Sequence, residues 1–274
     1  MNFSLQKDAA AAVRPVTALP QSRLRNLPLR GLLLPIALLA IWQYASTLGP
    51  SYAYAFIPLQ DVAHSLRELI ASGELLLHIG ASLRTALKSL LYGSVIGVAL
   101  GAAMASSRLF DAAVGPLYHL LRQIPIFGLI PLIALWFGNT ETSKLVVVSL
   151  ATFEAMTLNT YEGLRNIEAR YVEVGRALRF SRGQLLLRVL LPMALPSILT
   201  GLMQAIAIAW LATVAVELLF TVGPGLSVIM ERAQQAQRMD IVIVCIVFIG
   251  LLGLAMNHCC VLLGRRLLRW RNAR

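Results

Sequence analysis

The sequence predicts an all-α, polytopic membrane protein with about six transmembrane helices. Three observations carry this. Of the 274 residues, 58% are hydrophobic and only 14% are charged, with a mean hydropathy of +0.72. A soluble domain needs more polar surface than that to face water. The apolar residues also gather into long blocks separated by charged stretches. Finally, with the N-terminus inside, 17 of the 24 Lys and Arg residues fall on the inner side, as the positive-inside rule requires. Lipid offers backbone N–H and C=O groups no partners, so each spanning block is expected to be helical.

Residues 1–30 are mixed and basic, with Lys7, Arg14, Arg23, Arg25 and Arg30, and read as a cytoplasmic tail. Gly31 to Leu48 is the first apolar block, near the roughly 20 residues that cross a bilayer. Ala53-Tyr54-Ala55 resembles a signal-peptide cleavage site. The apolar run is too long and its basic lead too extended for that reading. The second block, Leu75–Ser106, has its apolar heart at Leu90–Ala105. Gly93, Gly97 and Gly101 form a ladder in it at four-residue spacing, which lets two membrane helices approach closely. The third block, Ala112–Phe137, contains Pro116, Pro125 and Pro131. Each removes a backbone donor and can bend the helix; the bends either line a pathway or only shape packing. The fourth block is Thr142–Thr160, the fifth Leu191–Val216 and the sixth Ile241–Leu263. A second basic tail occupies 265–274, so 31–264 reads as one transmembrane domain.

The net charge of +11 raises the question of nucleic acid. The charges lie between and beyond the apolar blocks, not in one stripe, so no nucleic-acid partner is expected. Cys245, Cys259 and Cys260 have no zinc or disulfide spacing and read as small buried hydrophobes. His64, His78, His119 and His258 are scattered, which gives no metal site. There is no Gly-x-x-x-x-Gly-Lys-Ser/Thr loop and no convergent catalytic set. The chain is therefore expected to be no enzyme and to bind no cofactor itself.

Ionisable groups inside spans are functional candidates, and three stand out: Arg122, Glu154 and Glu217. The turn between the third and fourth blocks centres near Asn139. An antiparallel hairpin there places Arg122 and Glu154 at similar depth. Either they pair, since an unpaired buried charge is costly, or Glu154 faces the pathway and shapes solute choice.

The longest inner loop, about 162–190, is too charged to enter lipid. It reads as two short helices, around Glu168–Leu178 and Gln184–Leu190, with Ser181 capping the second. Such a pair held at the membrane face is either a docking knob or a solvated loop.

Tyr171-Val-Glu-Val-Gly-Arg-Ala-Leu, continuing to Val189-Leu-Leu-Pro192, resembles the "EAA" loop of ATP-binding-cassette (ABC) importer permeases. That pattern is Glu-Ala-Ala, three residues, Gly, nine residues, Ile-x-Leu-Pro. Glu173 matches the leading Glu, and Val189, Leu191 and Pro192 match the tail. Gly175 stands at an Ala position and Arg179 at the family's Gly. If that site needs a left-handed backbone, Arg costs about 1–2 kcal/mol. Elsewhere, Arg122-Gln-Ile-Pro125, Leu129-Ile-Pro-Leu132, Leu135-Trp-Phe-Gly138 and Leu158-Asn-Thr160 with Gly163 are similar to the nitrate, taurine and aliphatic sulfonate permeases. So are Trp42-Gln43, Ala209-Trp210 with Glu217, Gly223-Pro-Gly225-Leu226, and Arg265, Arg266 and Trp270. Glu154 departs from this group, which often has Pro nearby. The likeness is strongest to the aliphatic sulfonate permeases.

The resemblance implies a type I importer permease fold in a bacterial inner membrane, with both termini cytoplasmic. The loop becomes the coupling element, with Glu173, Gly175, Arg176, Arg179 and Arg182 at or near an ATPase docking surface. Arg122, Glu154, Trp210 and Glu217 become pathway candidates. The implied partners are two ABC ATPase subunits carrying ATP and Mg, an external solute-binding protein, a second copy of the permease, and membrane lipid. The implied solute is a small anion such as an aliphatic sulfonate, taurine or nitrate.

Overall fold

The computed structural model describes residues 28–49 and 56–267, so most of both basic tails, Trp270 among them, lies outside the described residues. Residues Met1–Pro58 and Leu59–Arg274 form separate compact units. In the first, α1 (Pro28–Ser46) is an apolar helix with Pro35 inside it. Trp42 fastens the chain beyond it: its Nε1–H donates to the Ile57 carbonyl at 2.9 Å, and its ring stands edge-on to Phe56 at 5.4 Å.

The second unit is a helical bundle. Its elements are α2 (Leu59–Ala71), α3 (Glu74–Ser106), α4 (Arg108–Leu121), α5 (Ile130–Phe137), α6 (Glu141–Arg165), α7 (Ala169–Ala177), α8 (Arg182–Leu185), α9 (Leu191–Leu219), α10 (Leu226–Gln235) and α11 (Met239–Leu267). The most extensive contacts are α3 with α6 and α6 with α9, so α6 is the central helix.

Its flanks are close because glycines line both of them. A Cβ at Gly97 would stand 2.8 Å from the Phe153 carbonyl oxygen, and one at Gly101 would stand 2.6 Å from that of Thr157. On the other side, Gly163 of α6 faces Ser197, and Gly201 of α9 faces Asn159. In lipid there is no water to expel between helices, and such small-residue approaches supply the packing attraction instead. Thr152, Thr157 and Thr160 of α6 are fully buried. Thr152 Oγ1 donates toward carbonyls at Ser89 and Val148, both at 3.2 Å, and Thr157 Oγ1 to Phe153 at 2.8 Å.

All six expected blocks are helical. By length and composition, however, three helices suffice to cross a membrane: α3, the continuous helix Gly183–Leu219, and Met239–Gly264. The broken pair α4–α5 makes a fourth if taken as one span, and the apolar helix Leu33–Ser46 is shorter than a span. Two differences from expectation have clear causes. The third block is not one helix: α4 ends at Leu121 and α5 leaves at 87° to it. Pro125 sits in the break with extended ψ of 124°; it lacks a donor and pushes Ile124 out of helical geometry. The second loop helix is not separate either. From Gly183 the chain runs unbroken into α9 through a wider π-type turn at Leu186–Leu190.

Two short helices, α2 and α10, were not foreseen. With the long helices they close the apolar cluster of Leu69, Leu75, Trp210, Leu226 and Cys245. Cys260 is buried as well, but Cys259 is exposed, because a lipid-facing helix side need not be covered.

The helix ladder is testable. Gly97→Val should lower the thermal stability of the detergent-solubilised protein by at least the roughly 1–3 kcal/mol of an overpacked contact. Gly80→Ala, on the same helix where a Cβ meets nothing within 4 Å, should leave it unchanged or slightly higher.

Candidate functional site: the charged loop and the charges inside the bundle

The loop begins with α7, which ends in a tight reversal. Arg179 N–H donates to the Arg176 carbonyl at 2.8 Å and Phe180 N–H to that of Gly175 at 3.1 Å. This pair of bonds is a Schellman motif, which requires a left-handed residue between helix and exit. That residue is Arg179, with φ of 58°. The site where the resemblance expects Gly thus keeps the left-handed backbone, at a cost of about 1–2 kcal/mol for a side chain with a Cβ.

Gly175 is buried, and Phe180, Leu185 and Val189 crowd onto it. The tip of Leu185 occupies the space an Ala methyl would take, which explains Gly at the Ala position. Ser181 then starts the next helix: Gln184 N–H donates to Ser181 Oγ at 3.3 Å, and Ser181 N–H to Gln184 Oε1 at 2.9 Å. This reciprocal capping box fixes where α8 begins.

Glu173 and Arg176 of α7, and Arg179 in the reversal after it, are all exposed and without an ion pair among the described residues. Arg182 has its backbone in α8; its side chain lies outside the described residues. Tyr171, Val174 and Leu178 are also exposed, the last two by 60% and 62%. They recur at i, i+3 and i+7 and so form one apolar stripe. The spacing was legible in the sequence, but a charged loop hides it, because the apolar side of such a helix is normally the buried one.

Arg122 and Glu154 come together. Arg122 Nε lies 3.5 Å from Glu154 Oε1, with both side chains about 30% exposed. Both line a cavity of about 270 Å³ whose other walls are apolar, among them Leu100, Leu117, Leu129 and Phe153. Tyr118 Oη–H donates to the Glu154 backbone carbonyl at 3.2 Å and ties α4 to α6. Arg122 caps α4 in helical geometry, its N–H donating to the Tyr118 carbonyl at 3.1 Å, so the last turn of α4 is what places it opposite Glu154.

Glu217 and Trp210 are instead packed. Trp210 is 8% exposed, and its Nε1–H donates to the Ile249 carbonyl of α11 at 3.2 Å. Glu217 is 1% exposed. Its Oε1 accepts from Ser82 Oγ at 2.7 Å and its Oε2 from Ser227 N–H at 3.1 Å. Ser82 Oγ in turn accepts from Leu226 N–H at 2.9 Å. A carboxylate at the first turn of α10 meets both its free N–H groups and the positive end of its dipole. Gly225 makes room, since a Cβ there would be 2.6 Å from the Glu217 carboxyl carbon. His78 Nδ1 lies 2.9 Å from Gly225 N. Lys144, 1% exposed, donates to the Val222 carbonyl and stands 3.5 Å from Glu141. Sequence reasoning missed His78, Ser82 and Lys144. Only Lys144 left a trace, as a charge close to a span; the others needed a fold that brings α3 to the 222–226 turn.

Residues 93–269 match the family described as binding-protein-dependent transport system inner membrane component. The chain belongs to this family. It is a permease component of an ABC importer, hence a transport subunit and not an enzyme. Among its relatives, the Bacillus subtilis (strain 168) protein named for aliphatic sulfonates transport, SsuC, is 34% identical, with 98% of this chain and 96% of that one covered. The Escherichia coli (strain K12) taurine transport system permease protein TauC is 29% identical over 85% and 86% of the two chains. The nitrate import permease protein NrtB of Leptolyngbya laminosa is 33% identical over 80% of each. The fold matches that of a crystal structure of an amino acid ABC transporter, with a TM-score of 0.60 at 16% identity over 74% of this chain and 96% of that one.

Two substitutions probe the geometry. Arg179→Gly should raise thermal stability by up to about 1 kcal/mol, the left-handed strain relieved less the extra chain entropy of glycine. Glu217→Ala should lower it by about 1–3 kcal/mol for each buried donor left unpaired, read from thermal unfolding of the solubilised protein.

Proposed function

We propose that this permease carries a small oxyanion-bearing solute, such as an aliphatic sulfonate, taurine or nitrate, handed over by a periplasmic or extracellular binding protein. It works as two identical copies with two ATPase subunits, which hold the ATP and Mg. The basic tails at 1–30 and 265–274 and the loop at 162–190 face the cytoplasm, with the permease domain spanning 31–264.

The observation that carries the coupling role is the exposed apolar stripe Tyr171, Val174 and Leu178 beside Glu173, Arg176 and Arg179. Exposed apolar and charged side chains together on one short helix supply the two kinds of contact an interface is built from. Physically, α7 is seated against Leu185 and Val189, which belong to or adjoin the 37-residue helix Gly183–Leu219. At 1.5 Å per residue this helix is about 55 Å long. A displacement of α7 by a partner therefore moves a rod that reaches the far side of the bundle. That is the element a two-state transporter needs if a partner's nucleotide state is to bias it. The solute class is supported by the names of the relatives.

The test is purification of the tagged protein from its native membranes in mild detergent, with its companions identified by mass spectrometry. An ATPase subunit in near-equal amount is expected. It should be lost, with the permease still folded, in both Glu173→Lys and Val174→Asp. Recovery of the chain alone under conditions that preserve known complexes would refute the coupling role.

A further inference from the structure

We propose that the carboxamides of Asn159 and Gln204 wall the solute passage of this permease, and that Leu211 beyond them closes it against the same residue of a second copy. This rests on the importer reading above and deepens it by naming the face of the bundle that the solute meets.

The two amides stand where α6 and α9 cross. Gly201 of α9 lets Asn159 in, since a Cβ there would be 2.6 Å from the Asn159 Cβ. Asn159 Nδ2 donates to the Ala155 carbonyl at 2.8 Å and to Gln204 Oε1 at 2.9 Å. Both of its protons are then spent. Asn159 Oδ1 and the amide protons of Gln204, which is exposed, find no partner among the described residues.

Their depth makes that costly. Gln204 is near the middle of Leu191–Leu219, about 20 Å from each end at 1.5 Å per residue. A bilayer's hydrocarbon core is about 30 Å thick, so lipid against this level would leave amide donors and an acceptor unsatisfied. Exposed positions on other long helices, such as Leu91 and Val95 of α3 or Ile246 and Leu251 of α11, are apolar, as a lipid-facing side needs to be.

The amides are the deepest members of a polar stripe. Glu162 lies one turn from Asn159 and Thr200 one turn from Gln204, both exposed and both toward the charged loop. Away from the loop the same side of α9 turns apolar. Ile208 and Leu211 follow Gln204 at i+4 and i+7, exposed by 36% and 67%. On α6 the change comes at the same level, from Asn159 to Ala155. A polar approach from one end that stops at apolar side chains has the composition of a gated pore, since an apolar constriction shuts by excluding water.

One chain supplies only one wall, because these side chains lie on an open face. The other wall has to be polar at the level of Gln204 and apolar at the level of Leu211. Lipid fails the first requirement. A second copy related by a two-fold axis along the membrane normal meets both, because that axis sets each residue opposite itself at the same depth.

The test is thiol labelling of the permease–ATPase complex in lipid nanodiscs, in a Cys245→Ala, Cys259→Ser, Cys260→Ala background without nucleotide. The probe is a charged methanethiosulfonate, which reacts with thiols in water. Gln204→Cys and Thr200→Cys should each react at least tenfold faster than Leu91→Cys, so that if one variant fails to assemble the other still decides. Leu211→Cys should react slowly, yet be joined to the second copy's Leu211→Cys by a short bismaleimide. ATP with orthovanadate should cut that yield at least in half. Labelling no faster than that of Leu91→Cys would overturn the passage wall. An unlinked Leu211→Cys, or a yield unmoved by nucleotide, would overturn the gate. The importer reading stands apart from all of these, since ATPase co-purification judges it.

Discussion

The backbone of α3 touches that of α6 at Gly93, Gly97 and Gly101, with no room for a methyl group between them, and the rest of the bundle is arranged around that approach. Gly163 and Gly201 repeat it between α6 and α9. With a helix pressed on each side, α6 is shielded enough to carry Thr152, Thr157, Thr160 and Lys144 in the interior. The hydroxyls of Thr152 and Thr157 satisfy themselves on helix carbonyls. A helix of that composition could not face lipid on its own; enclosed by two apolar neighbours, it can.

The long helix Gly183–Leu219 links the loop to the 222–227 turn. At one end it supports α7 through Leu185 and Val189; at the other it presents Glu217 to the first turn of α10. Ser82 of α3 and His78 hold the same turn, and Lys144 of α6 binds the chain just before it. Three helices thus converge on residues 222–227. The far end of the rod is pinned by buried hydrogen bonds, while its near end packs against α7, which carries the exposed apolar stripe.

Between these ends lies the break after Leu121. Pro125 interrupts the helix, and Arg122, on the last helical turn before the interruption, pairs with Glu154. In the loop, the left-handed Arg179 holds a reversal that glycine would make with less strain, and the two hydrogen bonds across it keep the geometry in place.

Much of this was legible in the sequence. Composition and block pattern determined the all-α membrane class, because apolar stretches of that length have no other stable form in lipid. The glycine spacing pointed to a close helix contact, the prolines to a broken third block, and the loop pattern to a strained turn at position 179. These are local properties, set by residues within a few turns of one another. Tertiary structure alone decided the rest. Glu217 is a cap for α10, Trp210 is held against Ile249, and His78, Ser82 and Lys144 converge on one turn, because residues up to 147 positions apart were brought together. A buried polar group takes its role from whichever donor or acceptor the fold places beside it, and periodicity along the chain carries no record of that partner.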